Sequence, residues 1–334
     1  MGGALKIMSI LIGGVFWSGL FLTSSAMAFD LAGHRGARGL APENTLPAFA
    51  AALSIGVTAL ELDTAITKDG VIVISHDQAL NPNIARDKSG KWVGNPGPLI
   101  KSLTFEELQQ YDVGRLNPNT NYAKIFPEQK AMDGTRIPRL ADLFAMVKKA
   151  NNKQVRFYVE IKYSPRKPDE TLDPETSATK VVELIQKEGM EGRVSILCFD
   201  WRVLQTVQKI VPGIPTVYLS VQQRSMDTIH EYSRENSPWT AGFQIKDCGS
   251  VPRMVKAAAG RVWSPYFQEL TEAKLKEAHK LGLKVGVWTV NEEWQIKKMI
   301  DLGVDGITSD RPDIVRRIMA ERGMELPLAT PVKP

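Results

Sequence analysis

The chain has 334 residues, of which 43% are hydrophobic and 24% charged, the make-up of an ordinary globular protein. Its formal net charge of +5 is a mild excess that suits anionic substrates. No lysine- or arginine-rich run stands out, so the charge gives no support to a nucleic-acid partner.

At the N-terminus, Met1 to Ala28 carry one basic side chain, Lys6, an apolar run from Ile7 to Leu22, and then "TSSAMA". Ala26 and Ala28 form an A-x-A pattern, which predicts a signal peptide cleaved after Ala28. A retained membrane anchor is the rival, but Gly13, Gly14, Ser18 and Gly19 interrupt the run, and it is short for a bilayer span. The expectation is an exported protein, periplasmic or secreted, with no stable membrane insertion after cleavage.

A strand at Asp30–Gly33 leads into "AGHRGARGLAPENTLPAF", which ends in a helix with Thr45 as its N-cap and Gly56 past its end. A strand at Thr58–Asp63, a "TKDG" turn and the β-rich run "VIVISHD" follow. Residues 78–138 are less regular, with "NPN", "GNPGP" and "NPNT" punctuation and one short helix at Thr104–Tyr111. After a helix at Leu140–Ala150, strands fall at Arg156–Ile161, Val194–Phe199, Pro215–Leu219, Arg261–Ser264, Lys284–Thr289 and Val304–Thr308, with helices between them such as Thr271–Leu281 and Glu292–Leu302. "AGFQIKD" marks a further, weaker strand. Without it there are eight strand–helix units, which predicts an α/β fold of the (β/α)8 TIM-barrel type with one insertion. A doubly wound open sheet is the alternative, but "GHRGARG" does not fit its G-x-G-x-x-G fingerprint.

Strands of a parallel barrel are covered on both faces, so charges at their carboxyl ends need a reason. The second strand ends "ALELD" and places Glu61 and Asp63 on one side, with Leu62 toward the helices. The next ends "FYVEIK" and repeats the arrangement with Glu160 and Lys162. Three converging carboxylates repel one another at close range, and a divalent cation relieves the conflict; all-oxygen ligands favour Mg²⁺ or Ca²⁺. An ion pair of Glu160 with Lys162 or Arg35 would explain an isolated Glu-x-Asp, but here both pairs sit at strand ends beside histidine-bearing loops.

Of the four histidines, His34 in "GHRG" and His76 in "SHDQ" sit in polar turns after strands. They are suited to moving protons near neutral pH. His230 and His279 fall in helical stretches and read as surface or packing residues. Arg35 and Lys162 supply fixed positive charge for a phosphate, and Glu43 either orients Arg35 or caps the following helix. Cys198 and Cys248 are either a disulfide or two small buried side chains.

Taken together, "HRGARGLAPENT", "ALELDTAITKDGVIVISHD", "VEIK", "VWTVN" and "GVDGITSDRP" resemble the glycerophosphodiester phosphodiesterase family, in the family's order, from His34 to Pro312. The resemblance implies a TIM barrel at 29–322 with a small insertion after the second barrel strand, near 64–139, opened by "VISHD", and a tail at 323–334. It implies that Glu61, Asp63 and Glu160 hold one divalent cation, Ca²⁺ or Mg²⁺. It implies that His34 and His76 are the catalytic pair, that Arg35 and Lys162 contact the phosphate, and that Trp288 lines the substrate pocket. Arg38 is an extra basic residue relative to the commoner family motif, and Cys198 stands where serine is usual. The implied reaction is metal-dependent hydrolysis of a small-molecule glycerophosphodiester to glycerol 3-phosphate and an alcohol. A lysophospholipase-D-type enzyme and a non-catalytic binder of phosphate esters are the alternatives. A retaining glycosidase is disfavoured, because Glu61 and Asp63 lie on one strand and cannot flank a sugar bond. Trp201, Tyr266, Phe267 and Trp288 are candidates to cage a quaternary ammonium head group, or to pack the core and rim.

Overall fold

The computed structural model describes residues 1–2 and 29–334. The signal-peptide reading and its cleavage site after Ala28 fall on residues outside the described ones. Eight parallel strands form the barrel: β1 (Asp30–Gly33), β2 (Ala59–Ile66), β3 (Arg156–Ile161), β4 (Val194–Cys198), β5 (Thr216–Ser220), β6 (Val262–Pro265), β7 (Lys284–Val287) and β8 (Gly306–Ser309). They pair in chain order, and β1 closes the ring by pairing with both β2 and β8. The expected (β/α)8 architecture is the observed one.

Eight helices follow the strands: α1 (Leu46–Ile55), α2 (Leu140–Lys149), α3 (Pro174–Lys187), α4 (Trp201–Ile210), α5 (Val251–Ala257), α6 (Glu272–Lys280), α7 (Glu293–Leu302) and α8 (Pro312–Glu321). α1 begins and ends where its sequence says. Thr45 accepts from the Ala48 N–H at 3.3 Å, and Gly56, at φ +92°, donates its N–H to Ala52 at 3.0 Å. Along β2 and β3 the side chains alternate. Leu60, Leu62, Phe157, Val159 and Ile161 join the core beneath the helices, while Glu61, Asp63 and Glu160 take the other face. All eight β2 residues are buried, and each fully buried Leu or Phe of this layer contributes about 1.5–3 kcal/mol.

The "TKDG" turn makes a hairpin: Ile72–Ile74 pairs antiparallel with β2, Ile74 opposite Thr64. Beyond it the segment to Arg139 builds its own small core from Leu80, Ala85, Ile100, Leu108, Val113 and Ile137. The C-terminal tail is docked: the Thr330 N–H donates to Leu53 at 2.7 Å, and Asn152 donates to the Thr330 hydroxyl at 2.8 Å.

Three expectations need correction. "AGFQIKD" forms a turn and the short helix Ile245–Cys248, because its alternation is too brief to displace a barrel strand. His230 lies in a loop at φ +60°, not in a helix. The helix expected at Thr104–Tyr111 is one turn, Phe105–Leu108, sealed by a capping box between Thr104 and Glu107. Cys198 and Cys248 are both free. Among the described residues no helix is long and apolar enough to cross a membrane.

Candidate active site

The carboxyl ends of the strands converge on a cavity of about 210 Å³. Its lining includes His34, Arg35, Glu61, Asp63, His76, Glu160, Lys162 and Trp288, so all eight residues singled out in the sequence meet there. The opposite mouth encloses a larger cavity, about 440 Å³, walled by small side chains such as Ala32, Ser195, Gly286 and Gly306. Chemistry rather than size selects the first. Among the described residues the one grouping of acids, histidines or cysteines able to hold a metal is Glu61, Asp63 and Glu160, whose oxygens lie within 4.8 Å of one another.

Strand register creates that cluster. Asp63 and Glu160 are direct partners across the β2–β3 pair, and Glu61 is two residues back on the same face. His34 is the first residue past β1, its N–H bonded to Ser309 at 2.9 Å. The hairpin brings His76 back over β2, since the Ser75 N–H donates to the Asp63 carbonyl at 3.0 Å.

The first loop packs tightly on the start of α1. A Cβ on Gly36 would stand 2.6 Å from the Ala48 carbonyl carbon, and one on Gly33 would stand 2.2 Å from the Gly36 oxygen. Here the glycines serve close approach. Between them Arg35 adopts φ +49°, a left-handed conformation uncommon for a non-glycine residue, and its N–H donates to Glu61 at 2.8 Å.

Each cation in the site is tied to an acid. Arg35 pairs with Glu43 at 2.6 Å and with Asp63 at 3.4 Å; Lys162 pairs with Glu160 at 2.8 Å and with Asp63 at 3.5 Å. Glu43 therefore orients Arg35, while Thr45 caps the helix. Asn44 holds Asp63 from the other side at 2.9 Å. Even so, four buried carboxylates (Glu43, Glu61, Asp63 and Glu160) face three cations, Arg35, Arg38 and Lys162. Burial, reinforced by the Asp63 charge, lifts Glu61 well above the usual carboxylate range. Burial also pushes Glu160 up, to about 7, against the pull of Lys162. For Asp63 the fields of His76, Lys162 and Arg35 outweigh burial and hold it well below that range. A buried oxygen cluster whose members resist sharing their charges fits a hard divalent cation.

The two rings are held alike. His34 Nδ1 lies 2.6 Å from Asp310, and His76 Nδ1 lies 3.0 Å from Asp77. A proton assigned to Nδ1 in each case leaves Nε2 as the unprotonated nitrogen. Burial, with the Arg38 guanidinium adding to it, pushes His34 down to about 4; burial and Arg35 likewise lower His76. Trp288 packs edge-on against Phe199 at 5.4 Å and fixes its indole N–H on the Ser264 carbonyl at 3.0 Å. Of the other aromatics considered, Trp201 is fully buried in the core and Phe267 packs against Tyr266. Cys198 points into the core and donates to the Ile161 carbonyl at 3.0 Å, so no cavity contact depends on it.

The sequence profile of the glycerophosphoryl diester phosphodiesterase family matches residues 34–314. The chain belongs to that family. A solved structure from Silicibacter pomeroyi, provisionally named a glycerophosphoryl diester phosphodiesterase, is 34% identical with a TM-score of 0.78, over 90% of this chain and 96% of that one. A glycerophosphodiester phosphodiesterase of Caldanaerobacter subterraneus is 27% identical over 87% of this chain and 97% of its own. An Oleispira antarctica phosphodiesterase, solved with the product sn-glycerol-3-phosphate, shares the fold at 19% identity and a TM-score of 0.62, covering 87% of this chain and 96% of that one.

Within this family member, several residues that complete the site carried no assigned role in the sequence. Asp310 follows β8 and accepts from Arg38 at 2.8 and 3.0 Å and from Asn291 at 2.8 Å besides touching His34. Its place at a barrel strand's carboxyl end was the available signal. Asp77, next to His76, is braced by Asn81 at 2.6 Å. Tyr122 and Phe199 gave no local signal; only folding brings them to the site.

Proposed function

We propose that this protein hydrolyses glycerophosphodiesters to glycerol 3-phosphate and an alcohol, with Glu61, Asp63 and Glu160 holding one divalent cation, Ca²⁺ or Mg²⁺. The observation that carries the reading is the meeting of an all-oxygen acid cluster, two carboxylate-braced imidazoles and three cations in one cavity of about 210 Å³. The product held by the Oleispira relative supports the same substrate class.

When bound, the cation would neutralise phosphoryl charge and make a coordinated hydroxyl more acidic. The protein's own residues do the rest. Arg35 and Lys162 hold the phosphate; the Arg35 Nε is buried 3.4 Å from Asp63 and makes no hydrogen bond, so it can still donate to an anionic oxygen. One imidazole takes the proton of the attacking oxygen at Nε2, and the other gives a proton to the departing alcohol. The attacking oxygen is the neighbouring glycerol hydroxyl, through a cyclic phosphate that water then opens, or it is water itself. Trp288 and Phe199 give the cavity an aromatic wall. The small volume and charged lining favour a soluble diester over a lipid with an acyl chain.

The test is a head-group panel assayed after chelation, with Mg²⁺ and Ca²⁺ restored separately, on wild type, H34A and H76A. Wild type should lose turnover on chelation and recover it with one of the ions. Each variant should fall by about 10²- to 10⁴-fold, the usual range for general acid–base groups. Near-wild-type turnover in either variant, or activity indifferent to chelation, refutes the assignment.

A further inference from the structure

Besides the hairpin that carries His76, the insertion reaches the site through the short helix Asn121–Ile125 and the chain after it. The Tyr122 hydroxyl donates to the Glu43 carboxylate and accepts from Arg38 Nη1 at 3.1 Å. Phe126 meets Tyr122 edge to face, ring centres 5.3 Å apart, and lies under the Arg38 guanidinium at 4.6 Å. Gln129 donates to the Arg38 carbonyl at 2.7 Å, the Lys130 N–H donates to Leu40 at 3.0 Å, and Glu128 accepts from Arg311 at 2.6 Å. The segment thus straps down the loop that carries His34 and Arg35.

The hydrogen bonds trace one path through this strap. His34 meets Asp310, Asp310 takes two donors from Arg38, Arg38 donates to Tyr122, Tyr122 donates to Glu43, and Glu43 grips Arg35. The phenol is where the histidine half and the arginine half join. Glu43 is 4% exposed and has two oxygens to satisfy, one on Arg35 and one on Tyr122. Removing the hydroxyl leaves both a buried carboxylate oxygen and the Arg38 Nη1 short of a partner.

We propose that Tyr122 is a positioning residue for phosphate binding: its hydroxyl fixes Glu43, and Glu43 fixes the guanidinium of Arg35. The part of the insertion beyond His76 is therefore also part of the catalytic apparatus and not only a covering. This rests on the phosphate contact assigned to Arg35 above. Because Arg35 holds the phosphate before and during reaction, loosening it weakens binding throughout, so the effect falls on KM more than on kcat.

The experiment compares wild type, Y122F, E43Q and Y122F/E43Q for steady-state kinetics and for affinity toward inorganic phosphate by calorimetry, with thermal unfolding alongside. Y122F keeps the ring packed edge to face with Phe126 and should still fold. The expected result is a rise of about tenfold in KM and in phosphate Kd for Y122F, worth 1.4 kcal/mol, with little further loss in the double variant. Unchanged KM and Kd in Y122F, even with a lowered unfolding temperature, reduces Tyr122 to a structural prop and overturns the proposal. A wild type that binds phosphate but cleaves no diester sinks the catalytic reading while the Kd comparison still judges Tyr122. A wild type without affinity for phosphate overturns the proposal together with the Arg35 contact.

Discussion

Replacing Asp310 by asparagine separates catalysis from folding at the His34 end of the site. Asp310 Oδ1 meets His34 Nδ1 and Arg38 Nε, and its Oδ2 takes Arg38 Nη2 and Asn291 Nδ2. An amide turns one of those acceptors into a donor. In either orientation it points N–H at N–H, toward Arg38 and His34 or toward Arg38 and Asn291. Where the amide nitrogen faces His34 the ring loses its orienting acceptor, and its proton is free to move to Nε2, the atom proposed to work on substrate. Losing a positioned acid–base group is worth about 10²- to 10⁴-fold in kcat, or about 3–5 kcal/mol at 1.36 kcal/mol per tenfold. A second loss is independent. Arg38 is left buried without its carboxylate, and breaking such a pair from one side costs about 3–5 kcal/mol of stability. Release of glycerol 3-phosphate from the metal-loaded enzyme at saturating diester reads the first, and thermal unfolding reads the second. A folded D310N with kcat within about threefold of wild type would show that His34 needs no orienting carboxylate, and the assignment of His34 to proton transfer would fall with it.

Two further outcomes follow from the same geometry. In the metal-free protein His34 is held to about 4 against 6.5 for a free imidazole, so between those values the unfolded chain binds the proton and the folded one does not. The His34 contribution is then full above pH 6.5 and is lost as the pH falls toward 4, by at most about 3 kcal/mol. The raised Glu61 and Glu160 act in the opposite sense, so the quantity to measure is the difference between wild type and H34Q in denaturant midpoint across pH 4–7 after chelation. Equal pH slopes for the two would contradict a neutral buried His34. For the core, Cys198 donates to Ile161 and accepts from the Asp200 N–H at 3.3 Å, two bonds that a hydroxyl reproduces. C198S should keep full turnover and shift stability by no more than about 1.5 kcal/mol; a lost turnover would place this side chain in the chemistry.

The barrel was legible because each of its strand–helix units announces itself locally. Thr45 and Gly56 bound α1 through their own backbone preferences, and the period-two pattern of β2 sorts Leu60 and Leu62 from Glu61 and Asp63 wherever the strand is placed. The carboxylate pairs stood out for the same reason, as charge where a covered strand should be apolar. "AGFQIKD" misled because a short alternating run is compatible with a strand, a turn or one helical turn, and only neighbours choose. Glu43 was ambiguous in the sequence, since an acid near a helix start suits the dipole as well as an arginine; the 2.6 Å contact with Arg35 decided it.

By itself, then, the sequence determined the repeating units, the residues of the acid cluster and the two histidines, because these depend on spacing along one strand or one loop. Tertiary structure alone decided that Asp310 braces His34, that Asp63 lies beside Glu160, and that Tyr122 reaches Glu43 from 79 residues away. Those facts depend on strand register and on where the insertion folds back, and no local pattern encodes a distance between segments so far apart in the chain.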